Sequence, residues 1–188
     1  MSEVEVVGPA ALPGLQAQVE QILAEAKKQG ATACEVAVSV EQGLSTTVRQ
    51  REVETVEFNR DQGFGITLYV GQRKGSASTS ATGEAAIRET VAAALAIAKH
   101  ASEDESAGLA DAALMARDLP DLDLYHAWDI TPEQAVERAL TCEAAAFDTD
   151  ARIRNADGTS LGTHQGCRVY GNSHGFIGGY ASTRHSLS

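Results

Sequence analysis

The stretch Val53–Ser80, VETVEFNRDQGFGITLYVGQRKGSASTS, combines the clearest side-chain alternation in the chain with the clearest turn residues. Within it, Val53–Asn59 and Phe64–Val70 each place apolar side chains at alternate positions, which is typical of half-buried strands. The polar residues 59–63 end in glycine and predict a loop between these two strands. Gly71–Arg73 predicts a tight turn into a further strand. We therefore expect an antiparallel meander here.

The segment before this stretch predicts one helix and two more strands. Residues 14–29 repeat apolar side chains at helical spacing, and Gly30 follows where a left-handed helix cap is usual. Residues 34–40 place Val36, Val38 and Val40 on one face of a strand, and Gly43 predicts a turn into a second strand over 45–51. With the central meander, this makes about five strands, mostly antiparallel.

Two helices are predicted after the meander. Thr82 is placed to cap a helix over residues 83–100. Thr131, Pro132 and Gln134 form the signature of a capping box with proline in the first turn, which predicts a helix to about residue 148.

Between these helices, residues 101–129 lack a clear period. They predict a long ordered connection across the surface, anchored by Tyr125 and Trp128.

Together these elements predict an α+β fold with helices packed on one sheet face. We expect a flexible tail over residues 1–13, an α+β domain over 14–150, and the first strands of a second, truncated β-rich domain over 151–188. The glycine, serine and histidine content rises sharply after residue 150, which is the reason for the boundary. The predicted core consists of Leu23, Val36, Val38, Val56, Phe58, Ile66, Leu68, Val91 and Leu95.

Charge and composition exclude several classes of function. The chain has 15 Lys and Arg against 26 Asp and Glu, for a net charge of -11 at pH 7. The electric field of this negative charge repels phosphate backbones and anionic lipid, so we expect neither nucleic-acid nor membrane binding. The first residues lack the basic and apolar regions of a signal peptide, which favours a cytoplasmic protein. The three cysteines contain no CxxC pair and predict buried free thiols.

Catalytic and metal-binding motifs are weak. His164, His174 and His185 recur in the terminal segment, where neighbouring strands could bring them together as metal ligands, but no HExxH or HExxxH pair supports them. Residues 71–76 resemble a phosphate cradle, yet they lie between strands and lack the P-loop pattern. No GxSxG elbow supports a Ser/His/Asp triad. The carboxylates at 103–105 and 118–123 are more simply solvated loop residues than a catalytic pair. Hydrogen-bonding histidines and a hairpin turn are likewise the simpler interpretation of the other motifs.

A run of segments resembles the PmbA (TldE) branch of the TldD/PmbA metalloprotease family, also described as modulators of DNA gyrase. The matching segments are EVAVS at 35–39, EVETVEFN at 52–59, GITLY at 65–69, RKGSAS at 73–78, PDLDL at 120–124, GNSHGF at 171–176 and GYASTRHSLS at 179–188. The match corresponds to the amino-terminal portion of the family, without its large carboxy-terminal β-rich domain.

The resemblance implies a heterodimer with a TldD-like subunit that cleaves unfolded or flexible peptides, including antibiotic precursors and antitoxins. It places the zinc in the TldD partner, so we expect no cofactor, metal ligand or catalytic residue in this chain and no activity of the chain alone. A homodimer is the other assembly to consider. The segment 167–188 is rich in glycine and in side-chain donors, and we expect Asn172, His174 and Arg184 to contact an extended peptide.

Two alternatives from other functional classes stay open. The first is an interaction module that binds gyrase or a regulator without taking part in proteolysis. The second is an independent hydrolase that uses the terminal histidines.

Overall fold

The structure, a computed structural model, describes residues 7–188. It contains three α-helices, five strands and two short 3-10 turns at Pro9–Ala11 and Ala112–Leu114 within this range. In chain order the elements are α1 (Leu12–Lys28), β1 (Ala33–Arg49), β2 (Glu52–Val70), β3 (Arg73–Thr79), α2 (Glu84–His100), α3 (Pro132–Thr149), β4 (Thr159–Asn172) and β5 (Ile177–Leu187).

The five strands form one sheet in the order β3-β2-β1-β4-β5, and every neighbouring pair is antiparallel. The even-numbered residues of β1 from Cys34 to Val48 lie on one face and are buried, except for Gln42, which is partly buried. Helices α1 and α2 cover one end of this face, and α3 covers the other end through Ala135, Leu44 and Leu161. The predicted α+β class with about five antiparallel strands is confirmed.

The predicted loop at 59–63 and the predicted turn at Gly43 are both wrong. Residues 59–63 pair with residues 39–43, so β1 and β2 each run on as one long strand. The two segments satisfy each other's backbone groups, which removes the need for a turn in either. Gly43 instead leaves room for a neighbouring side chain, because a Cβ there would overlap the imidazole of His164.

The continuity of β1 and β2 changes which segments make up the sheet. Three strands come from the first half of the chain, while β4 and β5 come from the residues after Asp150. Strand β4 pairs with β1 from Glu35↔Asn172 to Val48↔Thr159. The sheet therefore continues across the predicted boundary at Asp150, and the division into two domains stays a prediction.

Most of the predicted core is confirmed, and two positions are wrong. The buried members are Val36, Val38, Ile66, Leu68, Val91 and Leu95, and Leu23 is partly buried against them. Val56 and Phe58 are instead 47% and 69% exposed. Their side chains lie on the helix-covered side of the sheet, but the helices do not extend over the first half of β2.

The structure confirms one of the two predicted helix N-caps and contradicts the other. In the predicted capping box, Thr131 Oγ1 accepts from the Gln134 N–H at 3.3 Å and Gln134 Oε1 accepts from the Thr131 N–H at 3.0 Å. The predicted cap at Thr82 is wrong, because Gly83 holds the N-cap position without a side-chain bond. Helix α1 begins at Leu12, so the end of the predicted 1–13 tail is helical. Its first six residues lie outside the described range.

The predicted ordered connection between α2 and α3 is confirmed. The Tyr125 hydroxyl donates to Gln165 Oε1 at 2.7 Å, and Trp128 meets His185 edge-on with ring centroids 5.4 Å apart. The Leu124 carbonyl accepts from the Thr183 N–H at 3.0 Å, so the connection follows the outer edge of β5. None of the helices described here combines the length and apolar character needed to cross a membrane.

Candidate functional site: the open face of the sheet

The sheet face opposite the helices, here called the open face, is the main candidate surface. The alternation that buries the even positions of β1 turns the odd positions toward this face. β2 alone has 19 residues, so the sheet is about 60 Å long at the usual rise per residue, although Tyr69 and Asn172 at one end of this face are buried. It carries mostly small or charged side chains: Ser39, Glu41, Gly43, Ser45, Glu57, Asp61, His164, Gly166, Arg168 and Arg184.

His164 occupies the middle of the open face. Its ring lies over Gly43, and its Nδ1 atom is 3.8 Å from Glu41 Oε1. Arg184 of β5 is its cross-strand neighbour. A carboxylate, an imidazole and a guanidinium therefore share one stretch of exposed sheet, and each can hydrogen-bond a polar group laid across the strands.

At one end of the open face, a carboxylate joins two phenols. Glu35 Oε2 accepts from the Tyr170 hydroxyl at 2.8 Å, and Glu35 Oε1 accepts from the Tyr69 hydroxyl at 3.4 Å. Burial raises the pKa of both tyrosines, and the negative charge of Glu35 acts in the same direction. Both phenols therefore stay protonated and keep donating to Glu35, which ties three strands together.

The three predicted peptide-contact residues do not form one group. The buried Asn172 side chain accepts from the His174 N–H at 3.1 Å and directs its amide to Met115 Sδ and the Tyr170 hydroxyl. Arg184 lies opposite His164. His164 is eight residues along β4 from Asn172, so Arg184 and Asn172 are roughly 27 Å apart at the usual rise per residue. Contact of these three residues with a peptide stays a prediction.

The three histidines considered as metal ligands are also apart. His164 lies on the open face, His174 in the β4–β5 turn, and His185 on the helix side, where its Nδ1 is 2.8 Å from Thr163 Oγ1. Within residues 7–188, no three His, Cys, Asp or Glu side chains are grouped so that they could hold a metal ion.

The cysteines do not supply a reactive group to the open face. Cys34 and Cys167 are buried, as predicted, while Cys142 is only partly buried. Burial raises the pKa of the Cys34 thiol to about 11, and it also raises the pKa of Cys167. Both thiols are therefore protonated and unreactive near neutral pH.

A buried carboxylate that the sequence analysis missed fixes the β1–β2 turn. Glu143 of α3 is 1% exposed, and its two oxygens accept from the N–H groups of Gln50 and Arg51 at 2.9 and 2.8 Å. Both turn residues have positive φ, 55° and 65°, which is unusual for residues other than glycine or asparagine. The signal in the sequence was the spacing of Glu143, which lies four residues after Ala139 and eight after Ala135, on the same side of the helix.

Comparison with known proteins agrees with this arrangement. The family model for PmbA/TldA metallopeptidase domain 1 matches residues 34–98, and the model for the central domain matches residues 125–188. Metalloprotease PmbA from Escherichia coli O157:H7 is 51% identical over 88% of this chain, and the PmbA homolog from Haemophilus influenzae is 54% identical over 87%. The chain spans 36% of the length of each of these relatives.

Solved structures share the fold. TldE from Thermococcus kodakarensis superposes with a TM-score of 0.73 at 20% identity, covering 90% of this chain and 38% of that one. A Bacteroides thetaiotaomicron protein described as a "putative modulator of DNA gyrase" gives a TM-score of 0.82 at 26% identity, covering 92% of this chain and 39% of that one. With both family domains matched in sequence and the fold shared, the chain belongs to the PmbA/TldD metallopeptidase family.

Proposed function

We propose that this chain is the amino-terminal part of the non-catalytic PmbA (TldE) subunit of a two-subunit zinc metalloprotease in the cytoplasm. In this proposal the zinc and the catalytic groups belong to a TldD-like partner. This chain contributes a surface that holds an unfolded or flexible peptide, such as an antibiotic precursor or an antitoxin.

The observation that carries the proposal is the open face of a metalloprotease-family sheet. Side chains on a sheet face can hydrogen-bond the main-chain groups of an extended peptide laid across them, with little dependence on the sequence of the peptide. The small serine side chains of the open face leave room for a peptide to approach, and His164, Arg168 and Arg184 offer donors to its carbonyl groups.

The test uses the full-length protein assembled with its TldD-like partner. We expect that changing His174 and Arg184 together to alanine lowers the kcat/KM for an unstructured peptide several-fold, while assembly and zinc content stay unchanged. Asn172→Ala is measured separately, because Asn172 is buried and its loss also affects folding. Arg154→Ala, which removes an exposed positive charge outside the sheet, is the matched control.

Unchanged cleavage in the His174 and Arg184 double variant would remove these residues from the mechanism. Cleavage that proceeds equally well without this subunit would refute the subunit role itself.

A second candidate function is binding to gyrase or a regulator without proteolysis. It is favoured by the description of the Bacteroides protein, whose fold this chain shares. Affinity capture with the full-length protein separates the two functions. Recovery of a zinc-containing partner of the same family supports the protease, whereas recovery of gyrase without such a partner supports the alternative.

A further inference from the structure

The first half of β2 has a free edge. β3 pairs with β2 only from Phe64↔Thr79 to Val70↔Arg73, whereas β2 begins at Glu52. Over residues 7–188, no strand pairs with the outer side of residues 52–59. A row of main-chain groups at such an edge is a template for another strand.

The alternating direction of the main-chain N–H and C=O groups along β1 and β2 identifies those that point to the free edge. The Ser173 N–H donates to the Cys34 carbonyl at 2.9 Å, so the main-chain groups of Cys34 point toward β4. Because successive residues of a strand alternate in this direction, odd residues of β1 bond to their partners on β2, which are also odd. The N–H and C=O groups of the even residues Val56 and Phe58 therefore point to the free edge.

The exposed apolar side chains and two carboxylates along this edge lie on opposite sides of the sheet. Val53, Val56 and Phe58 are 51%, 47% and 69% exposed on the helix side. Glu57 and Asp61 lie on the open face, across from Ser45 and Glu41 of β1. An added strand would thus meet apolar groups on one side and carboxylates on the other.

The edge is held rigid at the adjoining turn. Glu143 binds the two turn N–H groups, Gln50 Nε2 donates to Asn155 Oδ1, and the Arg51 guanidinium lies 5.8 Å from the centre of the Phe147 ring. A strand that binds here meets a preformed partner, so little ordering of this chain opposes binding.

From these observations we infer that the edge formed by Val53, Val56 and Phe58, here called the acceptor edge, binds an extended polypeptide with alternating apolar and basic residues. The apolar residues would pack beside Val56 and Phe58, and Lys or Arg would face Glu57 and Asp61. The inference rests on the proposed peptide-holding function and adds a location and a substrate class to it.

Charge argues for a basic strand rather than a second copy of the chain. A copy carries the same net charge of -11 and presents the same carboxylates at the same edge. Like charges across paired strands destabilise the pairing, whereas opposite charges favour it. The long-range field also attracts a cationic segment and repels another copy.

The experiment measures binding of fluorescein-labelled 11-residue peptides to the 188-residue chain by fluorescence anisotropy. One peptide alternates Val and Lys, a second has the same composition in two blocks, and a third alternates Val and Glu. The block peptide has the same charge but cannot place its apolar and basic residues on opposite sides of a strand. We expect the alternating Val/Lys peptide to bind at least tenfold more tightly than either of the others.

Two variants test the location. Val56→Pro removes an outward N–H without breaking a bond to β1, and Phe58→Glu replaces the most exposed apolar group with a charge. Each is expected to weaken binding of the Val/Lys peptide at least tenfold. Ile97→Glu, at a 51% exposed apolar position on α2, is the matched control and should bind like the unchanged chain. Circular dichroism and thermal melting establish that each variant is folded.

The inference is overturned if the block peptide binds as tightly as the alternating one, or if neither edge variant weakens binding. It is also overturned if sedimentation shows a homodimer that Phe58→Glu dissociates, because a second copy would then occupy the edge. Absence of any peptide binding refutes the acceptor edge as well. The proposed function is decided separately by cleavage in the assembled protease, so the two failures are distinguishable.

Discussion

At the scale of single residues, Glu143 has the largest predicted effect on stability. Its charged oxygens satisfy two N–H groups of a turn whose residues both have positive φ. We expect Glu143→Gln to lower the free energy of unfolding by about 2 to 3 kcal/mol, since a neutral amide offers one acceptor instead of two charged ones. Urea denaturation monitored by circular dichroism measures the change.

Glu137→Gln is the control, because this residue lies on an exposed side of the same helix. It should change the stability by less than about 0.5 kcal/mol. Equal effects of the two substitutions would show that Glu143 does not fix the turn.

At the scale of elements, β2 is divided into a covered half and an uncovered half. Leu68 is fully buried under α1 and α2, whereas Phe58 of the same strand is mostly exposed. We expect Leu68→Ala to lower the free energy of unfolding by about 3 kcal/mol through loss of burial and formation of a cavity. Phe58→Ala should lower it by less than about 0.5 kcal/mol.

Thermal and urea unfolding of both variants test this difference. A loss of stability in Phe58→Ala as large as that in Leu68→Ala would mean that a helix or another segment covers the first half of β2 in solution.

Elements governed by local chemistry could be predicted from the sequence. The capping box at Thr131 uses residues three positions apart, and the turn at Gly71 joins strands that are adjacent in the chain. These features depend on neighbouring residues alone, so a pattern of a few positions identifies them.

Features that depend on distant partners could not be predicted. Residues 39–43 stay extended because β4, more than a hundred residues later, pairs with them on their other side. The exposure of Phe58 likewise depends on where the helices end over the sheet. The alternation of a strand shows which side chains share a face, but it does not show how far the covering helices reach.

The sequence predicts the candidate site less well than the fold, because the folded sheet decides which side chains lie close together. Asn172, His174 and Arg184 are close in the sequence, but a hairpin turn separates Arg184 from the other two by most of the length of β5. The carboxylate and phenol group at Glu35 combines residues from three strands. Only the packed sheet brings such groups together, and the spacing of residues does not reveal them.

At the scale of the whole molecule, the division of the sheet into two faces governs what the chain can bind. The helix side encloses a continuous apolar core beneath α1 and α2. The open face carries exposed polar and charged groups, and the acceptor edge carries the exposed apolar side chains of Val53, Val56 and Phe58. The core holds both surfaces in place, so folding and binding can be changed by separate substitutions.

The same division of the sheet keeps the histidines of β4, β5 and the turn between them apart. A zinc site needs its ligand atoms within roughly 2.0–2.3 Å of one ion. His164 and His185 lie on opposite faces of the sheet, and His174 lies in the turn at the far end of β4. We therefore expect the purified chain, after dialysis, to hold much less than one equivalent of zinc by atomic emission and to cleave no unstructured peptide. One equivalent of tightly held zinc that is lost in His174→Ala would refute this prediction, because it would require the terminal segment to rearrange around a metal.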